Sequence, residues 1–100
     1  MKKHEASLAI QVLPKVEDEK IFAVVDEVIA YLKGTGLPCF VGPFETVLEG
    51  GLDQLFGIAL ECQKICIRAG APRVSSYIKV TYNPTDGVWG IEDKVAKHRS

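Results

Sequence analysis

The sequence predicts an α+β domain in which four antiparallel strands form one sheet and two helices cover one of its faces. Three observations carry that expectation. Apolar residues alternate with period two in a stretch near each end of the chain, Leu8-Ile10-Val12 and Val74-Ile78-Val80. Two longer stretches, beginning near Asp18 and Leu52, repeat their apolar residues every three to four positions. Between them Gly42-Pro43 makes a tight bend joining two short apolar runs. A chain of 100 residues suits one core and not two, so residues 1–100 are expected to be a single domain.

The first strand reads from Glu5 to Leu13, with Leu8, Ile10 and Val12 on one face and Ser7, Ala9, Gln11 and Leu13 on the other. Pro14 ends it, having no N–H to give to a ladder. Val16-Glu17-Asp18 leads into the first helix, with Asp18 as the expected cap and early acids matching the positive helix end. Its stripe is Ile21, Val24, Val25, Val28, Ile29 and Leu32, with Asp26, Glu27 and Lys33 on the other side; Gly34 and Gly36 mark its stop. The second strand, Leu37 to Val41, has Pro38 near its start and is therefore expected at a sheet edge. After the bend, the third strand runs from Phe44 to Glu49. Phe44, Thr46 and Leu48 face one way, and Glu45, Val47 and Glu49 the other.

Gly50-Gly51 stops that strand, and the second helix is expected from Leu52 to Ala69, ending at Gly70. Leu52, Leu55, Phe56, Ala59, Cys62 and Cys66 form its main stripe; Ile58, Leu60, Ile65 and Ile67 add apolar surface elsewhere, more than one sheet face would cover. Pro72 precedes the last strand, Arg73 to Tyr82, and Asn83 to Gly87 is a turn by composition. Val88, Ile91 and Val95 anchor a tail whose acids precede its bases, the charge order of a short helix. Strand, helix, strand, strand, helix, strand is the split βαβ order, a ferredoxin-like βαββαβ fold with a short C-terminal helical tail. The sheet face away from the helices carries Ala9, Leu13 and Tyr77, so oligomerisation through it is expected.

Composition removes several classes of function. With 12 basic and 13 acidic residues the formal charge is -1, which argues against nucleic acid as a partner. The longest uncharged run, Gly34 to Phe44, is eleven residues, too short to cross a bilayer. M-K-K-H-E-A-S leads into a strand pattern and not a signal-peptide apolar region, so a cytoplasmic protein is expected. Three cysteines make no disulfide framework. Cys62 and Cys66 share a helix face but lack two further ligands for zinc, and are expected as reduced core residues without metal. The two histidines, His4 and His98, lie near the termini, so no internal histidine can act as a base and no catalytic residues are assigned. Glu45 and Glu49 lie roughly 13 Å apart by strand rise, beyond the reach of a glycosidase carboxylate pair. No phosphate-binding glycine motif occurs, and no cofactor is expected.

The stretch V-G-P-F-E-T-V-L-E-G-G is the most distinctive in the chain. Its G-P-x-x-T-x-x-E-G pattern, followed by a helix and then V-S-S-Y-I-K-V, resembles the thiamine-binding-protein-like family. The similarity runs through the closing I-E-D-K-V-A-K-H-R. It implies a small ferredoxin-like protein that assembles as an oligomer, a dimer or more readily a homotetramer. For some members it also implies binding of thiamine or its hydroxymethylpyrimidine moiety. Gly42, Pro43, Thr46, Glu49 and Gly50 are the positions that match the motif. A pocket for a thiazolium cation and an aminopyrimidine wants an aromatic face, a carboxylate and a small hydroxyl. Phe44, Glu45, Thr46 and Glu49 supply these from one strand, and Gln11 or Tyr77 closes the pocket, although Phe44 also reads as a core residue. The expectation is a non-enzymatic binder of such a molecule. The alternative is an oligomeric interaction protein whose motif is structural.

Overall fold

The computed structural model describes residues 3–92. Its elements follow in the order β1 (Ala6–Pro14), α1 (Asp18–Gly34), β2 (Cys39–Val41), β3 (Thr46–Gly50), α2 (Leu52–Arg68) and β4 (Val74–Tyr82). The strands form one antiparallel sheet in the order β2-β3-β1-β4. This is the ferredoxin-like α+β arrangement, with the proline-bearing strand at an edge. Of the expected helical tail, Ile91 and Glu92 begin a helix; Val95 and the remainder lie outside the described residues.

Register explains the core. Leu8 stands opposite both Leu48 and Val80, and Ile10 opposite Thr46 and Ile78, so these side chains share the helix-covered face. Leu8, Leu32, Leu48 and Leu55 are fully buried there, each stabilising the fold by about 1.5–3 kcal/mol. From α2 the buried residues are Leu55, Ile58, Ala59, Cys62 and Cys66, a clean three-and-four spacing. Phe56, expected on that stripe, is instead half exposed, and Ile58 takes the inward place; two residues apart, they point about 200° from each other around the helix, so only one of them can face the sheet. Cys62 and Cys66 are buried free thiols, as their position on the stripe predicts. Burial, reinforced by neighbouring Cys66 and Glu61, pushes the Cys62 thiol up to about 12.

Helix ends show where local chemistry departs from expectation. Glu17, not Asp18, is the N-cap of α1, in an extended conformation and with no side-chain cap bond; Asp18 and Glu19 occupy the first turn. At the other end the Thr35 hydroxyl donates to the Leu32 carbonyl at 2.7 Å, and Gly36 turns the chain away at φ +80. β3 starts at Thr46 and not at Phe44, because the Gly42 N–H donates to the Glu45 carbonyl at 2.9 Å and closes the hairpin loop. A Cβ on Gly42 would stand 2.9 Å from that same oxygen, so the loop requires glycine. Phe44 is left at the tip with 77% of its surface exposed, and its core reading is corrected.

Among the described residues, the far side of the sheet is covered at one end only. Beyond β4, Gly87 at φ +81 turns the chain back, and the Val88 N–H donates to the His4 carbonyl at 2.9 Å. Val88 and Ile91 are buried there, beside the Ser7–Glu49 end of the strands. The rest of that face, including Leu13, Phe40 and Tyr77, remains exposed.

Candidate functional site

The bend that dominates the sequence builds one wall of a cleft of about 340 Å³. Gly42, Pro43, Phe44, Glu45 and Thr46 contribute the hairpin loop and the start of β3. Ile10 to Leu13 contribute the end of β1, and α1 closes the opposite wall with Phe22, Val25, Asp26 and Ile29 among others. The cleft exists because β1 outruns β3. β1 pairs with β4 as far as Pro14 but with β3 only as far as Ile10, where Thr46 stands opposite. Past that point the hairpin loop swings away from β1, and the helix above spans the gap.

Of the residues expected to bind a ligand, the structure brings Gln11, Gly42, Pro43, Phe44, Glu45 and Thr46 together around this cleft. Thr46 is buried on the helix-covered face, near the floor. Glu45 lies at the rim, and its carboxylate accepts from Lys79 Nζ at 3.0 Å on the outer side of the sheet. Phe44 offers an exposed aromatic ring at the lip.

Glu49, Gly50 and Tyr77 stand apart from it. Glu49 is on the outer face and only 6% exposed, with its carboxylate accepting the Ile91 N–H and lying 3.9 Å from His4 Nε2. It holds down the C-terminal segment at the opposite end of β3. Gly50 is buried against Leu37 and Gln54, where a Cβ would come within 3.3 Å of the leucine. Tyr77 is opposite Gln11 in the ladder but projects from the outer face, 65% exposed. Glu49 lies three residues beyond Thr46 on the opposite face of β3, at the end away from the loop, and does not line this cleft.

Two lining side chains escaped the sequence reading. Phe22 is 78% exposed, and Asp26 follows it one helical turn later on the same wall. They border the apolar stripe of α1, a place where acids read as solvated and an aromatic as an overflow of the core. A phenylalanine off the apolar stripe, four residues before an acid, was the signal available. Among the described residues the lining side chains include the acids Asp26 and Glu45 and no lysine, arginine or histidine, a set that favours a cation or a neutral polar ring over an anion.

Comparison with known proteins accords with this architecture. The sequence profile of the family described as Thiamine-binding protein matches residues 8–99. A UPF0045 protein of Clostridium perfringens is 43% identical over 93 residues, covering 93% of this chain and 96% of its own length. Among solved structures, a domain of unknown function DUF77 from Bacillus cereus superposes with a TM-score of 0.86 at 36% identity, over 95% of this chain and 90% of that one. A candidate thiamine biosynthesis/salvage protein from Thermotoga maritima superposes with a TM-score of 0.83 at 29% identity, over 94% of this chain and 98% of that one. The chain belongs to the thiamine-binding protein family.

Proposed function

We propose that the protein binds thiamine or its hydroxymethylpyrimidine moiety in the cleft between α1 and the β2–β3 hairpin, as a non-enzymatic carrier, store or sensor. The observation that carries this reading is the pairing of two exposed phenylalanines with two carboxylates around a gap of ligand size. Phe22 and Phe44 offer π faces to a flat ring and to a thiazolium cation. Asp26 provides negative charge on the helix wall and Thr46 a hydroxyl near the floor. The name of the Thermotoga maritima neighbour, at 29% identity, points the same way.

Among the described residues no basic side chain lines the cleft, which sets the expected order of ligands. A diphosphate calls for clustered amides, a metal or several Lys and Arg residues. Free thiamine and the pyrimidine alcohol therefore bind at least about tenfold more tightly than thiamine diphosphate, the difference expected from one uncompensated charge contact. Titration calorimetry with the three ligands tests this, and equal or tighter binding of the diphosphate overturns it. The same reading includes assembly into a cytoplasmic homodimer or homotetramer, for which the exposed Leu13, Phe40 and Tyr77 provide apolar surface. Sedimentation that yields only single-chain mass at micromolar concentration refutes that part.

A further inference from the structure

Among the described residues the N–H and C=O of Val12 have no main-chain partner on the cleft side, and we infer that this pair reads the amino edge of a 4-aminopyrimidine ring. In an antiparallel sheet successive residues direct their N–H and C=O groups to opposite neighbours. On the β4 side, Lys15 N donates to Arg73 O at 2.9 Å and Asn83 N to Glu5 O at 2.8 Å. With Ala6 opposite Tyr82 and Pro14 opposite Val74, the odd-numbered residues of β1 therefore bond to β4. The even-numbered ones, Ala6, Leu8 and Ile10, face Gly50, Leu48 and Thr46 of β3.

Val12 is the next even residue, and its partner in that register would be Phe44. Phe44 belongs to the hairpin loop, and among the described residues no backbone bond joins the two. Val12 lines the cleft. Pro14, the even residue after it, has no N–H, and its carbonyl accepts from Val16 N at 3.1 Å. The opening is thus one residue long, too short for an added peptide strand, which needs a run of alternating bonds. It suits a small ring. In an extended residue the N–H and C=O lie side by side and point the same way, and a ring nitrogen beside an exocyclic amino group is their complement. Leaving such a backbone pair unmatched inside a cleft is costly, so the ligand that matches it gains specificity as well as affinity.

This inference rests on the proposed function and assigns its recognition step to main-chain atoms, leaving Phe22 and Phe44 to cover the ring faces. It is tested by NMR and calorimetry with 4-amino-5-hydroxymethyl-2-methylpyrimidine and its 4-methyl analogue, in which a methyl group of similar size replaces the amino donor. The amino compound is expected to move the Val12 amide resonance strongly and the 4-methyl analogue to bind at least about tenfold more weakly, because it leaves the Val12 carbonyl unmatched. Replacing Val12 by its α-hydroxy acid removes the N–H, which makes no bond to β4, and is expected to weaken the amino compound to a similar degree in a protein whose circular dichroism is unchanged. If the amino compound binds while the Val12 amide stays still, or both analogues bind alike, the inference falls and the proposed function stands. If neither thiamine nor the pyrimidine alcohol binds, both fall together.

Discussion

Glu45 and Glu49 come from the same side of one short segment, four residues apart, and the structure gives them opposite lives. Glu45 sits at the hairpin end, partly exposed, paired with a lysine that is itself 73% exposed. Glu49 sits at the other end under the returning C-terminal segment, where its carboxylate accepts the Ile91 N–H in a place water scarcely reaches. Residue type and strand face are common to both. The cover differs, and cover decides whether a carboxylate is a replaceable surface charge or a buried acceptor whose loss strands a donor. The two ends of β3 therefore divide the labour: one leaves a cleft open, the other clamps the sheet shut.

The largest expected effect breaks that contrast directly. Glu49→Ala removes the acceptor for Ile91 N–H and loosens the segment that buries Val88 and Ile91, at a cost of about 2 kcal/mol. For a domain of this size that lowers Tm by roughly 10 °C. Glu45→Ala removes an exposed ion pair and costs no more than about 0.5 kcal/mol. Thermal unfolding of the two variants at equal protein concentration compares them. Similar losses for both would mean that the C-terminal segment is not held by Glu49.

How much of this was legible in the chain depends on the range of the interaction concerned. β1, β4 and both helices were readable because their periodicity is local and their ends carry Pro14, Gly36 and Gly70. The alternation of β3 correctly set Glu45 and Glu49 on the side away from Thr46. It misplaced Phe44, because a single bond from Gly42 N to Glu45 O takes that residue out of the strand, and pattern alone does not reveal loop closure. The cover over Glu49 depends on a contact with Ile91, 42 residues later, which no local pattern encodes. The helix wall of the cleft was hidden for a related reason. Phe22 and Asp26 become neighbours of the hairpin only when α1 is laid across the sheet.

A second prediction sharpens the contrast at the level of binding. Asp26→Asn removes negative charge from the helix wall and is expected to weaken thiamine about threefold while leaving the uncharged pyrimidine alcohol unchanged, the size of a solvent-screened charge contact. Glu49→Gln keeps the size of the side chain at the closed end of β3, on the face away from the cleft, and is expected to leave both affinities as they are. Calorimetry on these two variants separates the acid that lines the cleft from the one that does not. A Glu49→Gln protein that remains folded yet loses thiamine selectively would move the site to the other end of the strand.

The smallest effect expected is a gain. Lys79 holds Glu45 toward the outer face, reaching it across Ala9, which stands opposite both Lys79 and Val47 in the register. Lys79→Ala leaves that carboxylate without its partner, and with 32% of its side chain exposed at the cleft rim it is free to turn toward a bound cation. Removing a positive charge near the mouth acts in the same direction. Both groups are screened by solvent, so the gain in thiamine affinity is expected to be only about twofold and to vanish in high salt. The neutral pyrimidine alcohol is expected to show no change. Stability should move by no more than about 0.5 kcal/mol, which keeps the binding comparison clean. A double variant, Lys79→Ala with Glu45→Gln, supplies the decisive control: if Glu45 is the group released, the gain disappears in the double variant. A gain that persists there would assign the effect to the lysine charge alone and leave Glu45 a bystander at the rim.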